Sequence, residues 1–138
     1  MSMRKIRKAL ALIYFYIYSR IAPAFLKLDD KAVVFLTDAH EKLDGNLKAI
    51  SDYIDEEYTD LKLQSFCRGD RRRAVSFSEF RAVCRAMSSC KYIILDDFYG
   101  LTSSMKLRNG QKLVQLWHGS GAFKKFGYSR LDGDISPR

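Results

Sequence analysis

Four short apolar runs set the strongest limit on what this chain can fold into. Lys31–Thr37 (KAVVFLT), Leu61–Cys67 (LKLQSFC), Lys91–Asp97 (KYIILDD) and Lys112–Trp117 (KLVQLW) have the length and branched or aromatic content of buried strands. Between the first two lies Asn46–Tyr58. It carries Leu47, Ile50, Tyr53 and Ile54 at helical spacing, with Asp52, Asp55, Glu56 and Glu57 largely on the other faces. Between the second and third, Ser76-x-x-Glu79 makes a capping box and opens a helix with Phe77, Phe80, Val83, Cys84 and Met87 on one side. Leu101–Gly110 is a loop with the turn signal Asn109-Gly110. The order strand, helix, strand, helix, strand, loop, strand predicts an α/β fold, a parallel sheet covered by helices. Function in such sheets gathers at the carboxyl ends of the strands. The loops there are Asp38–Gly45, Arg68–Arg73, Asp96–Gly100 and His118–Gly121.

Charge narrows the partner. The 138 residues hold 24 Lys+Arg against 16 Asp+Glu, a net +8, which asks for an anion. Apolar residues at 47% exclude a disordered or low-complexity chain, and the length suits one ordinary domain. Residues 1–28 carry Arg4, Lys5, Arg7, Lys8, Arg20 and Lys27 and no acid. Residues 38–60 are strongly acidic, 68–91 are basic, and 98–131 contain bases and no acid. No nucleic-acid-reading motif accompanies the basic stretches, so no nucleic-acid partner is expected. Cys67, Cys84 and Cys90 lack metal-ligand spacing, and His40 and His118 lie far apart in sequence. No metal or resident cofactor is expected, and the thiols read as reduced core residues of a cytosolic protein.

Residues 1–28 read as a unit of their own. The uncharged run Ala9–Ser19 is shorter than the roughly 20 residues a spanning helix needs. The preferred reading is an amphipathic helix on an anionic membrane surface. Arg4, Lys5, Arg7 and Lys8 would meet headgroups, and the rings of Tyr14, Tyr16 and Tyr18 would lie in the interface. That makes the protein peripheral, on the cytoplasmic face of the membrane. A first helix packed on the domain core and a cleaved signal are the other readings.

Gln111–Arg130 (QKLVQLWHGSGAFKKFGYSR) concentrates the chemistry. His118 stands where a buried strand exits, and an imidazole there can take a proton near neutral pH. Gly119, Ser120 and Gly121 let backbone N–H groups approach an anion, and Lys124 and Lys125 add cations close by. Together these suit an acid/base residue beside a phosphate. A tight turn with a satisfied histidine is the bland alternative. The serine lacks a G-x-S-x-G context, and the glycines lack the GK[ST] of a P-loop. Asp96 and Asp97 end the third strand, where they could orient a hydroxyl or merely be solvated.

VQLWHGSGAFKKFGYS (Val114–Ser129) resembles the WHG-type motif of the CDP-glycerol:poly(glycerophosphate) glycerophosphotransferases, the teichoic-acid primases and polymerases of Gram-positive bacteria. Val33–Ile50, with its Gly-Asn-x-Lys stretch, Lys91–Leu101 and the basic, aromatic N-terminus are similar to other parts of that family. The resemblance implies the Rossmann-like N-terminal half of a GT-B-like fold over 29–138, preceded by the helix of 1–28. It implies transfer of glycerol phosphate from CDP-glycerol to a lipid-linked polyprenyl-diphosphate acceptor, with release of CMP. His118 would be the general base, and Gly119, Ser120, Gly121, Lys124, Lys125, Asp96 and Asp97 would line the substrate. Family members bind CDP-glycerol largely through a second nucleotide-fold domain, which residues 1–138 do not include. The chain alone is therefore expected to be inactive. Glycerol and ribitol phosphate, and primase and polymerase, stay open. A non-catalytic module that binds a membrane or a phosphorylated ligand is the alternative reading.

Overall fold

The computed structural model describes residues 3–69, 75–96 and 98–116. Their strands β1 (Asp29–Thr37), β2 (Lys62–Cys67), β3 (Cys90–Leu95) and β4 (Lys112–Gln115) form one sheet in the order β2-β1-β3-β4. Every neighbouring pair is parallel, as the alternation predicts. The helices are α1 (Met3–Ile21), α2 (Gly45–Glu57) and α3 (Phe77–Ser89). Ser76 caps α3 as its sequence asks, its Oγ accepting from the Glu79 amide at 3.2 Å. Asp44 caps α2, accepting from the Gly45 amide at 2.8 Å. The connection expected as plain loop contains a 3-10 turn at Gly100–Ser104. Its own hydroxyls hold it: Thr102 donates to the Tyr99 carbonyl at 2.7 Å and Ser103 to the Gly100 carbonyl at 2.8 Å.

Alternation along each strand divides the core in two. Val34, Leu36, Ile93 and Leu95 face α3 and α1, packing with Val83, Cys84, Met87 and Phe15. Val33, Phe35 and Ile94 face α2 and meet Leu47, Ile50 and Ile54. Two residues assigned to apolar helix faces stay largely in solvent: Tyr53 is 57% exposed and Phe77 65%. The thiols of Cys84 and Cys90 are core groups, pushed up to about 12 by burial. Gln111, which the sequence does not single out, is also buried. Its Nε2 donates to the carbonyls of Met87 at 2.7 Å and Cys90 at 2.8 Å, and its Oε1 accepts from the Arg108 amide at 3.2 Å. One amide thus ties the end of α3, the start of β3 and the turn before β4.

The N-terminal helix belongs to this core through one face. Phe15 is fully buried against the α3 side of the sheet. Ser19 is buried too, and its Oγ donates to the Tyr16 carbonyl at 3.2 Å and accepts from the Lys106 amide at 3.5 Å. Arg20 lies over the Tyr16 ring, 3.4 Å from its centroid. Two of the three tyrosines expected at a membrane surface, Tyr14 and Tyr18, are partly buried against the domain. The Tyr14 ring packs on Phe80 at 5.4 Å and meets Phe77 edge-on at 6.2 Å. Tyr18 stacks on Tyr14 at 5.8 Å, and burial raises its phenol above the usual value. Both rings turn inward because α3 offers them an aromatic surface. The outward stripe is Leu10, Ile13, Tyr16, Ile17 and Ile21, each at least 49% exposed.

Phe15→Ala should destabilise the domain by about 3–5 kcal/mol, because the aromatic side chain leaves a cavity between α1, α3 and the sheet. Ile13→Ala, on the outward stripe, should shift the urea midpoint far less.

Candidate functional site

The chain runs from β1 outward to β2, then crosses back to β3 on the other side of β1. The strand order therefore reverses between β1 and β3, and in sheets of this kind ligands bind outside the carboxyl ends of the strands at such a reversal. Register places the side chains there. Leu36 of β1 lies opposite Leu95 of β3, so the next residues, Thr37 and Asp96, are level neighbours. Both are buried, and Thr37 Oγ1 donates to Asp96 Oδ2 at 3.2 Å. The same hydroxyl accepts from the Ala39 amide at 3.2 Å, which turns the chain sharply after β1. His40 comes back over this edge with its Nε2 3.9 Å from Asp96 Oδ2. Its side chain remains 48% exposed while that of Asp96 is 11% exposed, so the pair has a wet side and a dry side.

The loop after β2 holds the loop after β1 in place. The Arg68 amide donates to the Thr37 carbonyl at 3.0 Å, and the Gly69 amide to the His40 carbonyl at 2.9 Å. Gly69 sits at φ +72°, and a Cβ there would run into the Glu41 side chain, so this crossing requires glycine. The Arg68 guanidinium lies 3.8 Å from the Asp38 carboxylate. Beside it a cleft of about 210 Å³ is lined by Phe66, Cys67, Arg68, Glu79, Val83 and Tyr99, among others. Burial, and then the negative charge of Asp38, push the Tyr99 phenol well above its usual range, so it is a neutral hydroxyl there. Among the described residues no group of three or more His, Cys, Asp or Glu side chains is placed to hold a metal ion.

Of the residues the sequence proposes for chemistry, Asp96 stands at the carboxyl end of β3, at the strand reversal. Asp97, His118, Gly119, Ser120, Gly121, Lys124 and Lys125 lie outside the described residues, as does the side chain of Arg4. The chain leaves β4 with Gln115 opposite Leu95, and the Leu116 amide donates to the Leu95 carbonyl at 2.6 Å. Lys5, Arg7 and Lys8 are exposed on the first turns of α1. No described helix is long and apolar enough to cross a membrane. Thr37, His40 and Arg68 lie in or beside loops the sequence places at the functional edge. Their convergence is a product of strand order and register, which the sequence pattern does not carry.

The family model of the CDP-glycerol:poly(glycerophosphate) glycerophosphotransferases matches residues 17–136. The chain belongs to this family. It is 32% identical over 136 residues to the teichoic acid poly(ribitol-phosphate) polymerase of Bacillus spizizenii, covering 97% of the chain and 22% of that protein. It is 29% identical over 139 residues to the teichoic acid glycerol-phosphate primase of Bacillus subtilis, covering 89% of the chain and 35% of that protein. A ribitol-phosphate polymerase of Staphylococcus aureus is 30% identical over 103 residues, 72% of the chain and 20% of its own length. The chain thus spans at most about a third of these relatives. The names of these relatives are those of teichoic acid polymerases and primases, in agreement with the resemblance carried by Val114–Ser129.

Thr37→Val should cost about 1–3 kcal/mol, since it removes a donor from a buried carboxylate. Thr37→Ser keeps the hydroxyl and should recover most of that loss in a chemical-denaturation series.

Proposed function

We propose that this chain is the acceptor-side portion of a glycerophosphotransferase that moves glycerol phosphate from CDP-glycerol to a hydroxyl of a lipid-linked acceptor. The observation that carries this reading is the family match itself, which runs through the His118 segment to residue 136. In the proposed step the acceptor oxygen bonds to the β-phosphorus of CDP-glycerol while its proton passes to His118. The bond from that phosphorus to the bridging oxygen breaks, and CMP departs with the electron pair. Amides at Gly119, Ser120 and Gly121 and the cations of Lys124 and Lys125 stabilise charge on the phosphoryl oxygens. Asp96 and Asp97 help to position the reacting groups. In this reading residues 29–138 are the first half of a GT-B-like pair, and a second nucleotide-binding domain holds the cytidine of the donor.

Radiolabelled CDP-glycerol and CDP-ribitol, each with a lipid-linked acceptor, test the reading. The 138-residue chain alone should give no turnover; robust turnover by it would overturn the incomplete-site reading. A chimaera carrying residues 1–138 in place of the matching segment of the Bacillus subtilis primase should be active with CDP-glycerol. His118→Ala in that chimaera should lower the rate by about 10²–10⁴, the usual weight of a general base. An active chimaera indifferent to His118→Ala would remove the histidine from the mechanism. A preference for CDP-ribitol would reassign the donor.

The same reading places the protein on the cytoplasmic face of an anionic membrane, its lipid-linked acceptor being there. Support comes from α1, whose inner face is occupied by the core while Leu10, Ile13, Ile17 and Ile21 point outward beside Lys5, Arg7 and Lys8. Each base near such a surface contributes about 1 kcal/mol. Vesicles containing phosphatidylglycerol should therefore carry the chain upward on flotation, and Ile13→Glu with Ile17→Glu should abolish this without unfolding it. Undiminished flotation of the double variant would exclude this stripe as the contact face.

A further inference from the structure

Among the described residues, the buried carboxylate at the strand reversal has a histidine over it, and the proposed transfer does not use that histidine. Asp96 is 8% exposed and lies level with Thr37 at the ends of β3 and β1. Its Oδ2 accepts from Thr37 Oγ1 at 3.2 Å and faces His40 Nε2 at 3.9 Å. The histidine backbone is held in turn, its carbonyl accepting from the Gly69 amide at 2.9 Å. A hydroxyl that orients a carboxylate, which then orients an imidazole, is the arrangement by which proteins fix one ring tautomer. At 3.9 Å the contact is an ion-pair distance, longer than a hydrogen bond; the charge of the carboxylate favours the N–H on Nε2, which leaves Nδ1 as the ring's acceptor. The ring is half exposed at the strand reversal, where α/β sheets take their ligands.

We propose that His40, oriented by Asp96 and Thr37, accepts a hydrogen bond from a hydroxyl of the lipid-linked acceptor bound at the ends of β1 and β3, for which glycerol 3-phosphate serves as a hydroxyl-bearing probe. This rests on the transferase reading above, and deepens it by giving the acceptor a second contact apart from His118. The ligand class follows from the chemistry of the ring. An acceptor nitrogen backed by a carboxylate suits a hydroxyl, whereas a bare phosphate oxygen offers it no proton. His40 is a positioning residue in this scheme, and the transferred phosphoryl group does not depend on it for a proton.

The chain has two histidines, so spectra of the ¹⁵N-histidine-labelled protein can separate them. The long-range imidazole spectrum at pH 8 should show His40 with its proton on Nε2. Titration with glycerol 3-phosphate should move the His40 resonances saturably, and inorganic phosphate should not. His40→Gln, at an exposed position, should keep the fold and weaken glycerol 3-phosphate binding at least threefold, read from the His118 resonances. Asp96→Asn should mix the His40 tautomers if it folds; amide dispersion reports that, and His40→Gln decides the matter if it does not. A proton on Nδ1 would overturn the proposal, as would equal responses to phosphate and glycerol 3-phosphate. A His118 response that His40→Gln leaves unchanged would overturn it while leaving the transferase reading intact. No response at either histidine would overturn it too, and the transferase reading would then stand or fall on the chimaera.

Discussion

Parallel strands cannot be joined by a tight turn; each must be reached by a crossover over the face of the sheet. These crossovers are right-handed almost without exception. When successive crossovers step in opposite directions across the sheet, right-handedness puts their helices on opposite faces. The order β2-β1-β3 imposes such a reversal, and the two apolar clusters show its result, with α2 on one face and α3 on the other. The reversal also leaves β1 and β3 adjacent without a connection crossing their carboxyl ends. The meeting of Thr37, His40 and Asp96 is thus a consequence of topology, and its residues are those the strands deliver there.

The first helix shows how far composition can mislead about direction. Ala9–Ser19 contains no charge, and both faces of the helix it forms are apolar. Periodicity cannot say which face meets the core, because Phe15, Tyr14 and Tyr18 on one side are as apolar as Leu10, Ile13 and Ile17 on the other. The aromatic surface of α3 decides it. Phe77 and Phe80 accept the tyrosine rings, Ser19 finds the Lys106 amide, and Arg20 covers Tyr16. The core-packed helix, one of the alternatives in the sequence, describes the inner face of this element, while Leu10, Ile13 and Ile17 on the other face stay exposed.

Strands, helices and caps were legible because each depends on near neighbours: alternation in KAVVFLT, the 3.6-residue spacing in Asn46–Tyr58, the capping box at Ser76. The polar groups were legible only where they sit at strand ends, as Asp96 does. His40 escaped because its position depends on the Arg68–Gly69 backbone reaching across to the Thr37 and His40 carbonyls, some thirty residues away in sequence. Gln111 escaped for a similar reason. A glutamine before a strand looks like surface, and only the packed chain brings the Met87 and Cys90 carbonyls to its amide.

That difference bears on how the family's chemistry can vary within one scaffold. The sheet fixes the heights of Thr37 and Asp96 through backbone pairing of β1 with β3, so side-chain changes there leave the frame standing. The loop carrying His40 has no such ladder, and its anchors include two backbone hydrogen bonds, the Ala39 amide on Thr37 and a glycine at positive φ. A residue on that loop can therefore be re-aimed at small cost to the core. The loop is where a side chain can be exchanged or re-aimed, and the paired strand ends are the frame that holds Thr37 and Asp96 level.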